Sequence, residues 1–321
     1  MGVFHRVSSF LCLLAACHPL FAQRLDVERV QSQMTKGEYV TALKSITSAL
    51  TLARMVGASE PDSFTLYYSL AVLHFEIGHL NESAEALKNA DSLSRLWPDE
   101  NRARLFRTRS ALALLRSDYE QAVQLATRAV KGGRGRTSKR FQAWNQATLA
   151  LALLRQGNLP AAESAFGNGE KMTPKNPARE PMVAPRVLYI AALLHAHQGR
   201  HEAARATCER ALFALRDANL TSRDTTLGFL TLAEIHLLAS HFKAAQSAAA
   251  ESLALTQKMF GPEHQDAFTA HLLLAQIAER LNDTEAARQH SAHAATLAQS
   301  LFGIECRTTQ EAIATRNRLA R

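Results

Sequence analysis

Apolar residues along this chain recur three and four positions apart, as in Leu70, Leu73 and Ile77 or in Leu227, Leu230 and Leu237. That spacing marks one face of an α-helix. No stretch alternates apolar and polar residues with the period of two that a half-buried strand needs. The helical stretches come in pairs, each pair joined by a turn of fixed pattern: a small or turn-forming residue, any residue, a bulky residue, any two, then Ala. The pattern stands at Gly37-Tyr39-Ala42, Ser117-Tyr119-Ala122, Gly157-Leu159-Ala162, Ser240-Phe242-Ala245 and Asn282-Thr284-Ala287, and in varied form at Gly78-Leu80-Ser83 and Gly199-His201-Ala204. The turns therefore start at 37, 78, 117, 157, 199, 240 and 282, with intervals of 41, 39, 40, 42, 41 and 42 residues. Seven residues before each turn stands a slim side chain: Val30, Ala71, Ser110, Ala150, Ala192, Ala233 and Ala275. Twelve residues after it stand Ala49, Ala90, Ala129, Gly169, Ala211, Ser252 and Ala294. Small side chains at fixed points let two helices approach closely and let the next pair nest against them. Each unit thus reads as helix A, turn, helix B. One unit cannot cover both its faces, so stability must come from stacking neighbours.

At these residues the chain resembles the tetratricopeptide repeats, most nearly the longer-period variety of kinesin light chains. Phe229 to Gly303 carries the resemblance best: Leu232-Ala233 in helix A, the turn from Phe242 to Ala245, and MFGPEHQDAF from Met259 to Phe268. Leu301 to Gly303 repeats the motif of Met259 to Gly261, and Met55 to Ser63 is a weaker first copy. The repeats cover roughly Leu25 to Gly303, spanning 24–303 as a domain. The resemblance implies an all-α fold: a right-handed α-α superhelix, or solenoid, of seven helix pairs with helix A lining a concave groove. It also implies an interaction scaffold. Ile304 to Arg321 is more polar and reads as a C-terminal capping helix. Phe166 to Pro185 holds Pro174, Pro177, Pro181 and Pro185 with two Gly, so a continuous helix is not expected to cross it. It reads as a long loop and a joint between repeats four and five.

Composition agrees with helices packed through small side chains: 47% of residues are hydrophobic, while Gly (14) and Pro (9) are few. Residues 1–22 stand apart. Met1 to Arg6 and the apolar run Phe10 to Ala16 form the n- and h-regions of an export signal, too short to span a bilayer. Two cleavage sites fit: after Leu20-Phe21-Ala22, or before Cys17 in the lipobox-like Leu14-Ala15-Ala16-Cys17, which would make Cys17 a lipidated residue. Either route predicts a periplasmic, secreted or envelope-anchored protein. Only Cys208 and Cys306 remain beyond that segment; Cys208 falls at a core register position and reads as a packed, inert thiol.

Charge changes the picture most. Residues 101–140 carry eleven basic groups against Asp118 and Glu120, a net of +9, where the whole chain has a formal +8. By register, Arg104 and Arg107 take groove-facing places thirteen and ten residues before the turn at Ser117. The same places hold Arg186 and Tyr189 two repeats later, and Thr65 and Tyr68 one repeat earlier. A groove with a basic floor flanked by Tyr68 and Tyr189 suits acidic or carboxylate-ending peptides, through charge-assisted hydrogen bonds. The run from Gly132 to Arg140 has the composition of a nucleic-acid loop, but only Phe141 and Trp144 stand nearby to stack on bases.

Candidate chemistry is sparse. His195, His197 and His201 are the tightest His group, but His195 shares its register with His74 and His236, four residues before the turn, which favours packing over ligation. His290 and His293 could share a helix face, and a two-residue pair is thin ground for a zinc site. Asn81 and Asn282, both in Asn-x-Ser/Thr sequons, sit at the starts of B helices and read as caps. No HExxH, nucleophile elbow or phosphate-binding loop occurs. The sequence thus predicts a non-enzymatic exported scaffold without cofactor or metal, holding protein or peptide segments. Nucleic acid is disfavoured, and a membrane contact would run only through a lipid anchor at Cys17. A ligand-sensing helical regulator and a lipid-anchored envelope assembly factor are the rival readings.

Overall fold

The computed structural model describes residues 27–94, 99–133, 138–170 and 184–320. The proposed signal, Cys17, the core of the basic loop and most of the proline-rich joint lie outside these residues. Fifteen helices and no strands are found among the described residues. They divide between two compact units, residues 1–98 and 99–321.

The first unit holds two helix pairs: α1, described over 27–35, with α2 (Tyr39–Val56), and α3 (Glu60–Glu76) with α4 (Leu80–Ser94). The second holds five pairs and a cap. The pairs are α5 (Asp99–Leu115) with α6 (Tyr119–Gly133), α7 (Lys139–Arg155) with α8 (Leu159–Glu170), α9 (Ala184–His197) with α10 (His201–Asp217), α11 (Arg223–Leu238) with α12 (Phe242–Phe260), and α13 (Gln265–Arg280) with α14 (Thr284–Phe302). The cap is α15 (Arg307–Leu319). The seven pairs meet at the seven turns expected from the sequence.

The backbone explains the turn residues. Gly37, Gly78, Ser117, Gly157, Gly199, Ser240 and Asn282 all have positive φ, between 54° and 90°. A left-handed residue ends helix A and lets the next residues start helix B, which favours Gly and, with some strain, Asn or Ser. Asn282 therefore serves as the left-handed turn residue rather than as a cap; Asp283 caps α14, its carboxylate accepting from the Ala286 N–H at 3.0 Å. Asn81 lies inside the first turn of α4 and is likewise no N-cap.

The small-residue register is buried throughout. Residues seven before, five after and twelve after each turn are at most 2% exposed, and Gly169 is buried with them. Where Ser replaces Ala, its hydroxyl finds a carbonyl on the facing helix: Ser83 donates to Ala71 O and Ser110 to Ala122 O, both at 2.8 Å. Hydroxyls can thus sit in an alanine-sized space without leaving a buried polar group unmet.

In the second unit, successive A helices pack on one another: α5 on α7, α7 on α9, α9 on α11, and α11 on α13. No comparable packing joins successive B helices. The A helices therefore form the shorter, inner wall and the B helices the outer one. Apolar clusters fill the space between, as where Leu154 and Ala162 meet Val187, Ile190 and Leu194 between repeats four and five. Here α8 runs through Phe166 to Glu170 and α9 begins at Ala184, so both ends of the expected loop at 166–185 are helical. The two-unit boundary falls at 98/99, whereas 166–185 lies within the second unit.

Candidate functional site

The N-terminal halves of α5, α7 and α9 bring together three of the five expected groove residues around two aromatic rings. The Arg107 guanidinium lies 3.9 Å from the Trp144 ring centroid and 4.8 Å from that of Phe141; Arg104 lies 4.5 Å over Phe141. The Arg186 guanidinium lies 5.9 Å from the Trp144 ring centroid. Guanidiniums stacked on indole and phenyl faces gain cation–π attraction while keeping their in-plane N–H donors for hydrogen bonds.

Trp144 stands thirteen residues before its own turn, in the same register column as Arg104 and Arg186. That column could have revealed it. The register compared across repeats two, three and five does not include repeat four, where Trp144 stands only as a ring beside the basic loop.

The inner wall is cross-linked by polar contacts between consecutive A helices. Arg107 donates to Asn145 Oδ1 at 3.1 Å, and the Asn145 amide donates to Ala129 O at 3.1 Å. Arg186 pairs with Asp224 across α9 and α11, and the Tyr189 hydroxyl donates to Asp224 O at 2.9 Å. Arg223 makes a two-pronged pair with Asp266 at 2.7 and 2.9 Å, joined by the Thr226 hydroxyl at 2.9 Å. Burial alone would lift the Asp266 carboxyl, but Arg223 and His264 outweigh it and hold its pKa at about 2. Burial, then the Asp224 charge, push the Tyr189 phenol well above its ordinary value.

The expected site residues therefore divide. Arg107 and Tyr189 are each only 4% exposed and are committed to building the wall. Arg104 and Arg186 are half-buried and reach its surface. Tyr68 is half-buried in the first unit, parallel to Phe64 at 6.1 Å between centroids.

The histidines separate in the same way. His195 meets Gln198 and His197 approaches Glu234 at 3.8 Å. His290 and His293 are joined by His271 of α13, which the sequence did not single out; His271 Nδ1 lies 3.0 Å from His290 Nδ1 and its ring stacks on His293 at 4.9 Å. Among the described residues, no three His, Cys, Asp or Glu side chains are arranged to hold a metal ion. The Cys208 thiol is fully buried and donates to Gly228 O; burial, with Glu209, pushes it up to about 12. A groove of about 300 Å³ in the first unit, lined by Leu50, Arg54, Tyr67, His74 and Glu82 among others, is open to solvent rather than an enclosed pocket.

The fold and inner wall define an all-α helical-repeat protein built of stacked helix pairs. Residues 147–219, repeats four and five, match the Tetratricopeptide repeat family model. No curated protein sequence matches the chain. Among solved structures, it is similar to a Rap protein complexed with Competence and Sporulation Factor, at 9% identity and a TM-score of 0.65, over 92% of this chain and 87% of that one. It is similar to the apo quorum sensor NprR of B. thuringiensis at 10% identity and a TM-score of 0.52, over 93% and 87% of the two chains. The Cut9-Hcn1 hetero-tetramer of the APC/C gives 12% identity and a TM-score of 0.57 over 91% of this chain but 48% of that one. At these identities the likeness is one of fold.

Proposed function

We propose that the second unit is a non-catalytic scaffold that holds an acidic peptide segment against its A-helix wall. The observation that carries this reading is the guanidinium–aromatic cluster: Arg104, Arg107, Arg186 and Arg223 against Asp224 and Asp266 leave that wall with more positive than negative groups. Arg104 and Arg186 are the contact residues, Trp144 and Phe141 give them a stacking platform, and Arg107 and Tyr189 keep the platform rigid. A neighbour of the same fold was solved with Competence and Sporulation Factor bound, which supports a partner-holding role.

Charge reversal tests the reading. Arg104→Glu should weaken capture of a Glu-rich peptide by about tenfold or more, the scale of losing one charge-assisted contact and gaining a repulsion. Helical content by circular dichroism should stay unchanged. Equal affinity in wild type and variant defeats the assignment.

We also read residues 1–22 as an export signal, with lipidation at Cys17 or cleavage after Ala22. Fatty-acid labelling of Cys17 separates the two, and recovery of the native protein from cytosol with Met1 intact rules out both. We read the longer repeat period and the paired MFG and LFG motifs as a likeness to the kinesin-light-chain variety of repeat.

A further inference from the structure

Nearest-neighbour stacking is the rule in helical-repeat arrays, and two contacts in the second unit break it. Arg155, at the end of α7, makes a two-pronged pair with Glu234 of α11 at 2.6 and 2.7 Å. A side chain of repeat four thus crosses the face of repeat five to reach repeat six. His197 of repeat five stands beside the pair at 3.8 Å. The second contact spans more. The first turn of α15 returns to the turn of repeat three, where Thr308 Oγ1 lies 2.8 Å from Leu115 O and 2.9 Å from Ser117 Oγ, across 193 and 191 residues of sequence. Cys306 Sγ meets Arg116 O at 3.7 Å, and the Arg307 guanidinium lies 5.8 Å from the Tyr119 ring centroid. Ser117 and Thr308 are each 6% exposed.

We propose that repeats three to seven form a ring clasped by α15, that its interior takes the acidic peptide segment, and that the Ser117–Thr308 contact is the clasp that opens to admit it. The nature of the occupant rests on the acidic-peptide reading above; the ring and its clasp do not.

Three features favour a clasp over an ordinary packing contact. The first is the residue at the turn. Ser117 has a φ of 54°, a conformation that glycine adopts without strain and serine does not. Four of the seven register turns use Gly. Ser117 instead offers a buried hydroxyl to Thr308. The second is the acceptor. Leu115 O belongs to the last four carbonyls of α5, which have no donor within their own helix, so Thr308 caps a helix five repeats away from its own. The third is the hinge. α15 is tied to repeat seven independently of the clasp: Arg318 pairs with Glu279 at 2.6 and 3.0 Å, Arg288 donates to Leu319 O at 2.7 Å, and Thr309 donates to Ala298 O at 2.9 Å. Release of Thr308 opens the ring while every repeat stays folded.

The occupant is argued from charge: Arg104 and Arg186 reach the surface of the A-helix wall, and the Arg155–Glu234 bridge ties that wall from repeat four to repeat six.

A double-mutant cycle with Ser117→Ala, which removes the hydroxyl but keeps the Cβ, and Thr308→Val tests the ring. Each single variant should lower the denaturation midpoint, and the double variant should lower it no further; Thr308→Ser, which keeps the hydroxyl, should resemble wild type. Additive effects overturn the ring. The gate is tested with Ser117→Cys and Thr308→Cys in a Cys306→Ser chain. Oxidation should give an intramolecular cross-link, seen as faster migration of a monomer. It should slow both association and dissociation of a fluorescein-labelled peptide of alternating Glu and Ala by about tenfold, reversibly on reduction. Unchanged rates in the cross-linked protein overturn the gate. Absence of peptide binding in both redox states overturns the occupant and the acidic-peptide reading together, while the mutant cycle still decides the ring.

Discussion

His271 shows how a side chain can be forced into one protonation state by its neighbours. It is 8% exposed; burial, then the His290 and His293 rings of α14, lower its pKa to about 4. His290 is lowered too, by burial and His293, against a small opposing pull from Asp283. Below pH 6.5 the unfolded chain takes up a proton that folded His271 refuses. Its contribution to stability is complete above about pH 6.5 and is lost as the pH falls through about 4, amounting to about 3 kcal/mol at most. Thermal melts should show this slope, and His271→Gln should flatten it. A different residue carries the opposite lesson. Asp266 is 2% exposed and faces the equally buried Arg223, so Asp266→Asn leaves a buried guanidinium short of its carboxylate. Loss of one partner from such a pair costs about 3–5 kcal/mol, measurable as a lower urea midpoint. Neither residue was legible in the sequence. His271 lies nineteen residues from His290, and Asp266 looks like any acidic residue in a first helical turn.

The helix pair is the scale at which the sequence was most readable, because the backbone makes a demand there that only certain residues meet. Seven left-handed residues at seven equivalent turns leave a period that charge and length variations do not hide. Ser240 tests this account. Its φ is 61°, and it is exposed. Ser240→Gly should relieve about 1–2 kcal/mol of left-handed strain. It should lose about 0.5–1 kcal/mol to the greater freedom of glycine in the unfolded chain. A small rise in melting temperature is expected, in contrast to the fall expected for Ser117→Ala. The small-residue register has its own limit case at Gly228. A Cβ there would lie 2.6 Å from the Tyr189 hydroxyl and closer still to Leu212. Gly228→Ala should cost about 1–3 kcal/mol as an overpacked core position, and should loosen the Tyr189–Asp224 contact with it. Asn282 marks where reading by residue type failed: an Asn beside a helix start looks like a cap, and only φ shows that it is the turn.

At the scale of the whole molecule, the sequence located the basic repeat but not what its charges face. Arg104, Arg107 and Arg186 were visible as a register; the carboxylate of Asp224, the amide of Asn145 and the rings that separate the guanidiniums were not, because pairing across helices has no signature along the chain. The return of α15 to repeat three was invisible for the same reason. If the acidic-peptide reading holds, affinity should fall as salt rises, since the attraction acts through solvent-exposed charge; a salt-independent affinity would point to the aromatic platform instead. Trp144 offers a way to watch this directly. The chain has two tryptophans, Trp97 and Trp144, so Trp97→Phe leaves Trp144 as the single indole, which excitation beyond the tyrosine absorption band addresses alone. That indole lies under the Arg107 guanidinium at 3.9 Å, where a cation alters both its brightness and its emission colour. Any molecule that shifts the arginines should announce itself as a change in ultraviolet fluorescence, with no label attached, and a screen of unknown compounds or peptides could begin from that signal alone.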